Sequence, residues 1–212
     1  MGKLQDIGNL MVFGIKLQFY FLYRVFLGGI IFGIFPGFLF IYRVINSCFE
    51  EKMISHLDLK VESQRLEKVE ILKVNISGFL VLLLLWILGI NLQVSRFLIE
   101  SPVLRFLTVL SLMLILNTSL YILPILSKYE LPVKQYFFQS FLLGIISILD
   151  SIAIILGMSI AFAIGFVIAP LGFFAGIPLI FIPYVWFSRA SINRLEVVLY
   201  KGQDYTGEAS AE

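Results

Sequence analysis

The stretch PILSKYELPVKQYFFQSFLLGIISILD, residues 124–150, decides how this chain is built. It joins two apolar runs through a charged elbow, Ser127, Lys128, Tyr129 and Glu130. Pro132 then suits the first turn of a new helix, where its missing N–H would be unpaired anyway. Beyond it Tyr136, Gln139, Ser140, Gly144, Ser147, Asp150 and Ser151 share one helical face, and Phe137, Phe138, Phe141, Leu142, Ile145, Ile146 and Leu149 take the other. A span facing only lipid needs no such stripe. Residues 132–149 therefore either lie as an amphipathic helix at the membrane interface or enter the bilayer with the polar face against other spans. Asp150 bears on the choice. A carboxylate at the centre of a spanning helix costs about 2.5–3.5 kcal/mol and marks function, whereas at a helix N-terminus its charge is favourable. Residues 151–169 suffice for a span by themselves, so the sequence favours an interfacial helix ending at Asp150 as a cap over Asp150 as a buried proton or ion site.

The membrane setting comes from composition. Hydrophobic residues make up 59% of the 212 and charged residues 14%, with a mean hydropathy of +0.97; soluble domains carry about 25% charged residues. Several runs reach the roughly 20 apolar residues that cross a hydrocarbon core. The chain reads as one all-α, polytopic helical membrane domain over 1–195, with about five transmembrane helices and amphipathic interfacial helices. Its formal charge of +2 and the placement of its basic residues beside the spans do not suit nucleic acid. Cys48 is the single cysteine, which excludes an intrachain disulfide.

The first span is expected over 17–42, apolar apart from Gln18 and Arg24, behind an interfacial lead-in. Gly29, Gly33 and Gly37 fall four apart, a pattern that lets another helix backbone come close, and Pro36 beside them should kink or break the helix. Further spans are expected over 76–94, 104–126, 151–169 and 171–187. Asn117, Thr118 and Ser119 interrupt the third and are read as hydrogen-bonding to a neighbouring helix at about 0.6 kcal/mol per contact, with a substrate contact as the rival reading. The fourth repeats small residues at Ala153, Gly157, Ala161, Gly165 and Ala169. Pro178 and Pro183 should bend the last, and Tyr184 and Trp186 suit the aromatic belt at the membrane surface.

Between the first two spans, residues 43–75 form the one hydrophilic segment. Ile54, Leu57 and Val61, then Leu66, Val69 and Leu72, keep the spacing of an amphipathic helix. The tail 196–212 is polar and expected to be disordered. Most Lys and Arg flank this segment, the elbow and the tail, so those sides are expected in the cytoplasm, with the N-terminus outside and the C-terminus inside. An extra crossing before Arg24 would give six spans and reverse the N-terminus.

The order of these features resembles the YesL-like family of small bacterial integral membrane proteins. The resemblance is carried by Gly33-Ile34-Phe35-Pro36-Gly37 with Tyr42-Arg43, and above all by Leu123-Pro124-Ile125-Leu126-Ser127-Lys128-Tyr129-Glu130-Leu131 with Val133-Lys134-Gln135. It covers about residues 5 to 195. Phe38, Leu39 and Phe40 depart from it, standing where that family commonly has Ala and Thr. The resemblance implies a bacterial cell-membrane protein often encoded beside carbohydrate importers, and it brings no catalytic residues.

The residue inventory speaks against an enzyme. With one histidine, His56, and one cysteine, a multi-histidine metal site cannot be assembled, and the chain has no phosphate-binding loop of the G-x-x-x-x-G-K-[ST] type. No cofactor is expected. The expected function is a non-enzymatic accessory subunit associated with carbohydrate uptake. Its partners would be the lipid bilayer, the permease subunits of an ABC importer and, in a homo-oligomer, other copies of itself. The alternative is a small-solute transporter or channel using Asn117, Thr118, Ser119, Gln139 and Asp150.

Overall fold

The computed structural model describes residues 2–51, 68–97 and 101–208. Among them are seven helices: α1 (Gly2–Leu27), α2 (Ile31–Glu51), α3 (Lys68–Phe97), α4 (Pro102–Lys128), α5 (Val133–Ile146), α6 (Ile148–Val167) and α7 (Ala169–Glu208). Five are long and apolar enough to cross a membrane, over Phe32–Glu50, Val69–Ser95, Pro102–Lys128, Ile148–Val167 and Ala169–Glu196. The chain is thus an all-α, multi-pass membrane protein.

The run 17–42, expected as one span, is instead two helices folded back on each other. The break is not at Pro36, which lies inside α2, but at Gly28–Ile30. Gly29 adopts φ +66° and Ile30 φ +63°. The Gly29 amide bonds to the Phe26 carbonyl at 3.1 Å and the Ile30 amide to the Val25 carbonyl at 2.9 Å, a left-handed glycine stop that satisfies the last carbonyls of α1. Gly29, read from its spacing as a packing residue, is a helix terminator with open space where a Cβ would point. Gly33 and Gly37 do pack: a Cβ on Gly33 would strike the Arg24 and Val25 backbone, and one on Gly37 the Phe21 ring.

Helix α2 packs against α1, α3, α4 and α7, with Leu39, Phe40, Ile41 and Val44 buried. An aromatic ladder ties it to its neighbours: Phe21 stacks on Phe38 and Phe38 on Phe181, both at 5.5 Å, and Tyr184 meets Phe181 and Tyr42 edge-on at 5.4 and 5.6 Å. These separations favour offset or edge contacts between ring quadrupoles. Tyr184, expected in the membrane-surface belt, is therefore a core residue, and its hydroxyl donates to the Leu120 carbonyl at 2.7 Å. Trp186 is the exposed one.

Residue pairings fix the helix directions. Tyr42 meets Ser188 and Asn46 meets Arg189, while Leu120 meets Tyr184 and Lys128 meets Glu196. Helices α2, α4 and α7 thus run parallel. Phe35 against Gly78 and Arg43 against Glu70 set α3 antiparallel to α2. Gly157 against Pro183 and Gly165 against Gly172 set α6 antiparallel to α7. Within the small-residue repeat Ala161 and Gly165 are buried and Ala153 and Gly157 partly so, but Ala169 is exposed at the start of α7. There the repeat has passed from the α6 face into the turn.

Helix α7 bends at Ala175 (φ −142°, ψ 19°), just before Pro178, whose ring would collide with the carbonyl four residues back. The Ile177 amide beside this bend donates to Gln18 Oε1 of α1 at 3.2 Å, which answers the demand that backbone groups freed within a membrane find a protein partner. Beyond 187, where the last span was expected to end, α7 continues to Glu208. The tail expected to be disordered from 196 is helical that far, because extending an existing helix avoids the cost of nucleating one. The hydrophilic segment is shorter than the expected 43–75, since α2 runs to Glu51 and α3 starts at Lys68. Its middle, with His56 and the Ile54, Leu57 and Val61 face, lies outside the described residues.

Candidate functional site

The organising stretch 124–150 folds as the end of α4, an elbow, α5 and the first turn of α6. Tyr136 holds the elbow: its hydroxyl accepts from the Leu131 amide at 2.8 Å and donates to the Tyr129 carbonyl at 2.9 Å. Helix α5 then runs back along α4 as far as Asn117, whose side-chain amide sits over Gly144. Tyr136, Ser140 and Gly144 are buried, while Phe138, Leu142, Ile145 and Ile146 are exposed. The segment expected as an interfacial helix over 132–149 thus packs lengthwise on a span, with its polar stripe inward. At 14 residues α5 covers about 21 Å, less than the ~30 Å hydrocarbon thickness. The chain breaks at Ser147 (φ −108°, ψ 40°) before α6 begins.

Asp150 lies in the first turn of α6, where the helix dipole favours a carboxylate. It does not act as an N-cap: the cap position is Ser147, which makes no side-chain cap bond. The carboxylate instead crosses to α7, accepting from Ser191 Oγ at 2.8 Å and Arg194 Nη2 at 2.7 Å. Asp150 is buried, whereas the Arg194 side chain is 68% exposed, so the pair straddles the edge of the bundle and the buried partner keeps two charge-assisted bonds. Beside it the Tyr121 hydroxyl bonds to the Ser147 carbonyl at 3.1 Å and to Ser151 Oγ at 3.0 Å. Helices α4, α6 and α7 are thereby stitched at one level.

Three more ion pairs lie at this same end: Arg43–Glu70 between α2 and α3 at 2.7 Å, Lys128–Glu196 between α4 and α7 at 2.8 Å, and a looser Arg189–Glu50 between α7 and α2 at 3.7 Å. The Arg43 contact is bidentate, through two nitrogens at 3.0 and 2.7 Å, the geometry in which guanidinium and carboxylate pair best. Tyr129 adds a hydroxyl bond to Glu196. Between these pairs α2, α4 and α7 enclose a polar cavity of about 290 Å³. A second, apolar cavity of about 210 Å³ lies deeper between α2, α3 and α4, with Phe35, Ser77 and Ser119 among its walls.

The expected polar set does not converge. Thr118 Oγ1 and Ser119 Oγ bond to carbonyls of their own helix, Leu114 at 2.8 Å and Leu116 at 2.7 Å. Asn117 faces α5, its Oδ1 buried without a hydrogen-bond partner, and Gln139 is only partly buried on α5. Asp150 instead joins Tyr121, Ser147, Ser151, Ser191 and Arg194. Ser188 and Ser191, which the sequence did not single out, lie at the charged end beside Arg189 and Arg194, the basic residues expected to follow the last span. The one available signal was that Ser188 and Ser191 recur at helical spacing after the expected end of the last span.

Among the described residues, no group of three or more His, Cys, Asp or Glu side chains is placed to hold a metal ion. No family model, curated protein or solved structure matches the chain.

Proposed function

We propose that the chain is a non-enzymatic integral membrane protein that serves as an accessory subunit of a membrane assembly. Its resemblance to the YesL-like family points to carbohydrate uptake through an ABC importer. The observation that carries the reading is α3. Its spanning window has a mean hydropathy of 2.3 and is 11% buried, against 28–50% for the other four. Trp86, Leu82, Leu83 and Ile90 all face outward. A helix with so little of its surface buried leaves most of its outward side for lipid or for another subunit, where van der Waals fit governs association. Three of the five residues that a translocation path would use are meanwhile engaged within the chain: Asp150 by Arg194 and Ser191, Thr118 and Ser119 by their own helix.

The setting we propose is the bacterial cell membrane, with five crossings, the charged end and C-terminus in the cytoplasm, and the N-terminus outside. The support is the concentration of Lys and Arg at that end. Affinity purification in mild detergent followed by mass spectrometry should recover permease subunits, and a deletion strain should take up the matching sugar more slowly. Recovery of the chain alone, together with normal uptake, would overturn the proposal.

A further inference from the structure

The polar cavity at the charged end has donors that its own ion pairs leave unused. Its walls include Asn46 of α2, Ser127 and Lys128 of α4, and Arg189 and Asn193 of α7. Of the cavity's two cations Arg189 is the less fully bonded: its one hydrogen bond among the described residues is a long one, 3.4 Å to the Asn46 carbonyl, and its contact with Glu50 at 3.7 Å is beyond hydrogen-bond reach. A guanidinium carries five N–H donors in a planar fork. Its side chain is 30% exposed, so those donors are partly withdrawn from water without a full replacement. Across the cavity Lys128 spends one bond on Glu196 at 2.8 Å and has further N–H groups to give.

We infer that this cavity binds a phosphate-bearing anion, with Arg189 and Lys128 as its two cationic contacts. The donors come from separate helices, α7 and α4, and so approach from different sides. A tetrahedral phosphate presents acceptor oxygens in several directions and can meet them together, whereas a planar carboxylate offers two oxygens in one plane. The guanidinium fork supplies the bidentate geometry and the ammonium a point charge. Glu50 opposes the anion weakly, because its side chain is 55% exposed and already accepts from Asn46 Nδ2 at 3.0 Å. The place is suitable too: the cavity lies near the ends of three helices long and apolar enough to span a membrane, and basic pockets between spanning helices on the cytoplasmic side hold anionic head groups. The same chemistry serves a dissolved phosphate ester. This inference does not depend on the accessory-subunit reading.

The test uses the purified full chain in detergent, with binding followed by native mass spectrometry and thermal midpoint. The probes are two matched pairs: dioleoyl phosphatidylglycerol with dioleoylglycerol, and glycerol 3-phosphate with glycerol. The phosphate-bearing member of at least one pair should bind saturably and its phosphate-free twin should not. A response confined to the lipid pair assigns a head-group site, and a response to the soluble pair a site for dissolved phosphate esters. Arg189→Gln should weaken binding by about tenfold or more, the scale of a lost charge-assisted bond. Asn193→Phe puts a bulky ring at the cavity wall while leaving every charge in place and should also weaken binding, which keeps the test decisive if Arg189→Gln fails to fold. Lys134→Gln removes an exposed charge on α5, outside the cavity walls, and should leave binding unchanged. The inference is overturned if neither pair separates, if Asn193→Phe binds as the unaltered chain does, or if Lys134→Gln weakens binding as much as the cavity variants.

Discussion

At the scale of single residues, two side-chain environments yield sharp expectations. Gly29 holds φ +66° with no neighbour near its missing Cβ, so Gly29→Ala tests backbone strain alone. The left-handed conformation should cost an alanine about 1 kcal/mol, read as a lower thermal midpoint in detergent. Gly176→Ala, also in open space but inside helical α7, should be neutral or mildly stabilising. The Asp150–Arg194 pair is suited to a double-mutant cycle with Asp150→Asn and Arg194→Gln. Each change alone should destabilise, and the coupling between them should be about 1 kcal/mol, toward the lower part of the range for contacting residues because Arg194 is largely in water. Additive effects would mean that the 2.7 Å contact contributes nothing. The sequence showed Asp150 as the residue to explain, yet it could not show which way the carboxylate turns. Its partner is 44 positions away on another helix, and helical periodicity says nothing about which faces meet.

At the scale of elements, the α6–α7 hairpin rests on missing side chains. A Cβ on Gly172 would run into the Gly165 carbonyl, and one on Gly157 would lie 2.8 Å from Pro183 Cβ. Because membrane helices associate through close packing rather than water exclusion, Gly172→Ala and Gly157→Leu should each lower the thermal midpoint. Ala163→Leu, an outward position on the same helix, should leave it nearly unchanged. Equal effects at all three positions would remove the glycine seam from the account. The small-residue repeat of α6 was legible in the sequence because its spacing is the helical repeat itself. The α1–α2 break was not: the same four-residue spacing that makes Gly33 and Gly37 packing positions also placed Gly29 in the pattern. Only the backbone dihedral distinguishes a stop from a seam. Likewise the polar stripe of α5 was evident at 136–151, but whether it faces water or α4 depends on a partner surface.

At the scale of the whole molecule, the four ion pairs described above lie at one end of the bundle, and the proposed topology puts that end in the cytoplasm. This can be tested by single cysteines on a Cys48→Ser background. With Lys134→Cys near the charged end and Ala169→Cys at the opposite turn, both exposed, an impermeant thiol reagent added to intact cells should modify Ala169→Cys and spare Lys134→Cys until the cells are opened. The reverse pattern would invert the orientation, and labelling of both would break the placement of the two turns on opposite sides.

The sequence by itself determined the class: a chain this apolar, with five runs able to cross a bilayer, has no other stable home, because backbone groups in lipid must bond within helices. Of the glycines it marked for close approach, Gly33, Gly37, Gly157 and Gly165 have near neighbours and Gly29 does not. Tertiary structure alone decided that the first apolar run folds into a hairpin, that Tyr184 is core, that 124–150 returns along α4 with its polar face inward, and that Asp150 answers Arg194 rather than capping its own helix. These outcomes turn on which surfaces meet across distant stretches of chain. Periodicity within one helix tells which residues share a face, and packing between helices decides what that face is against.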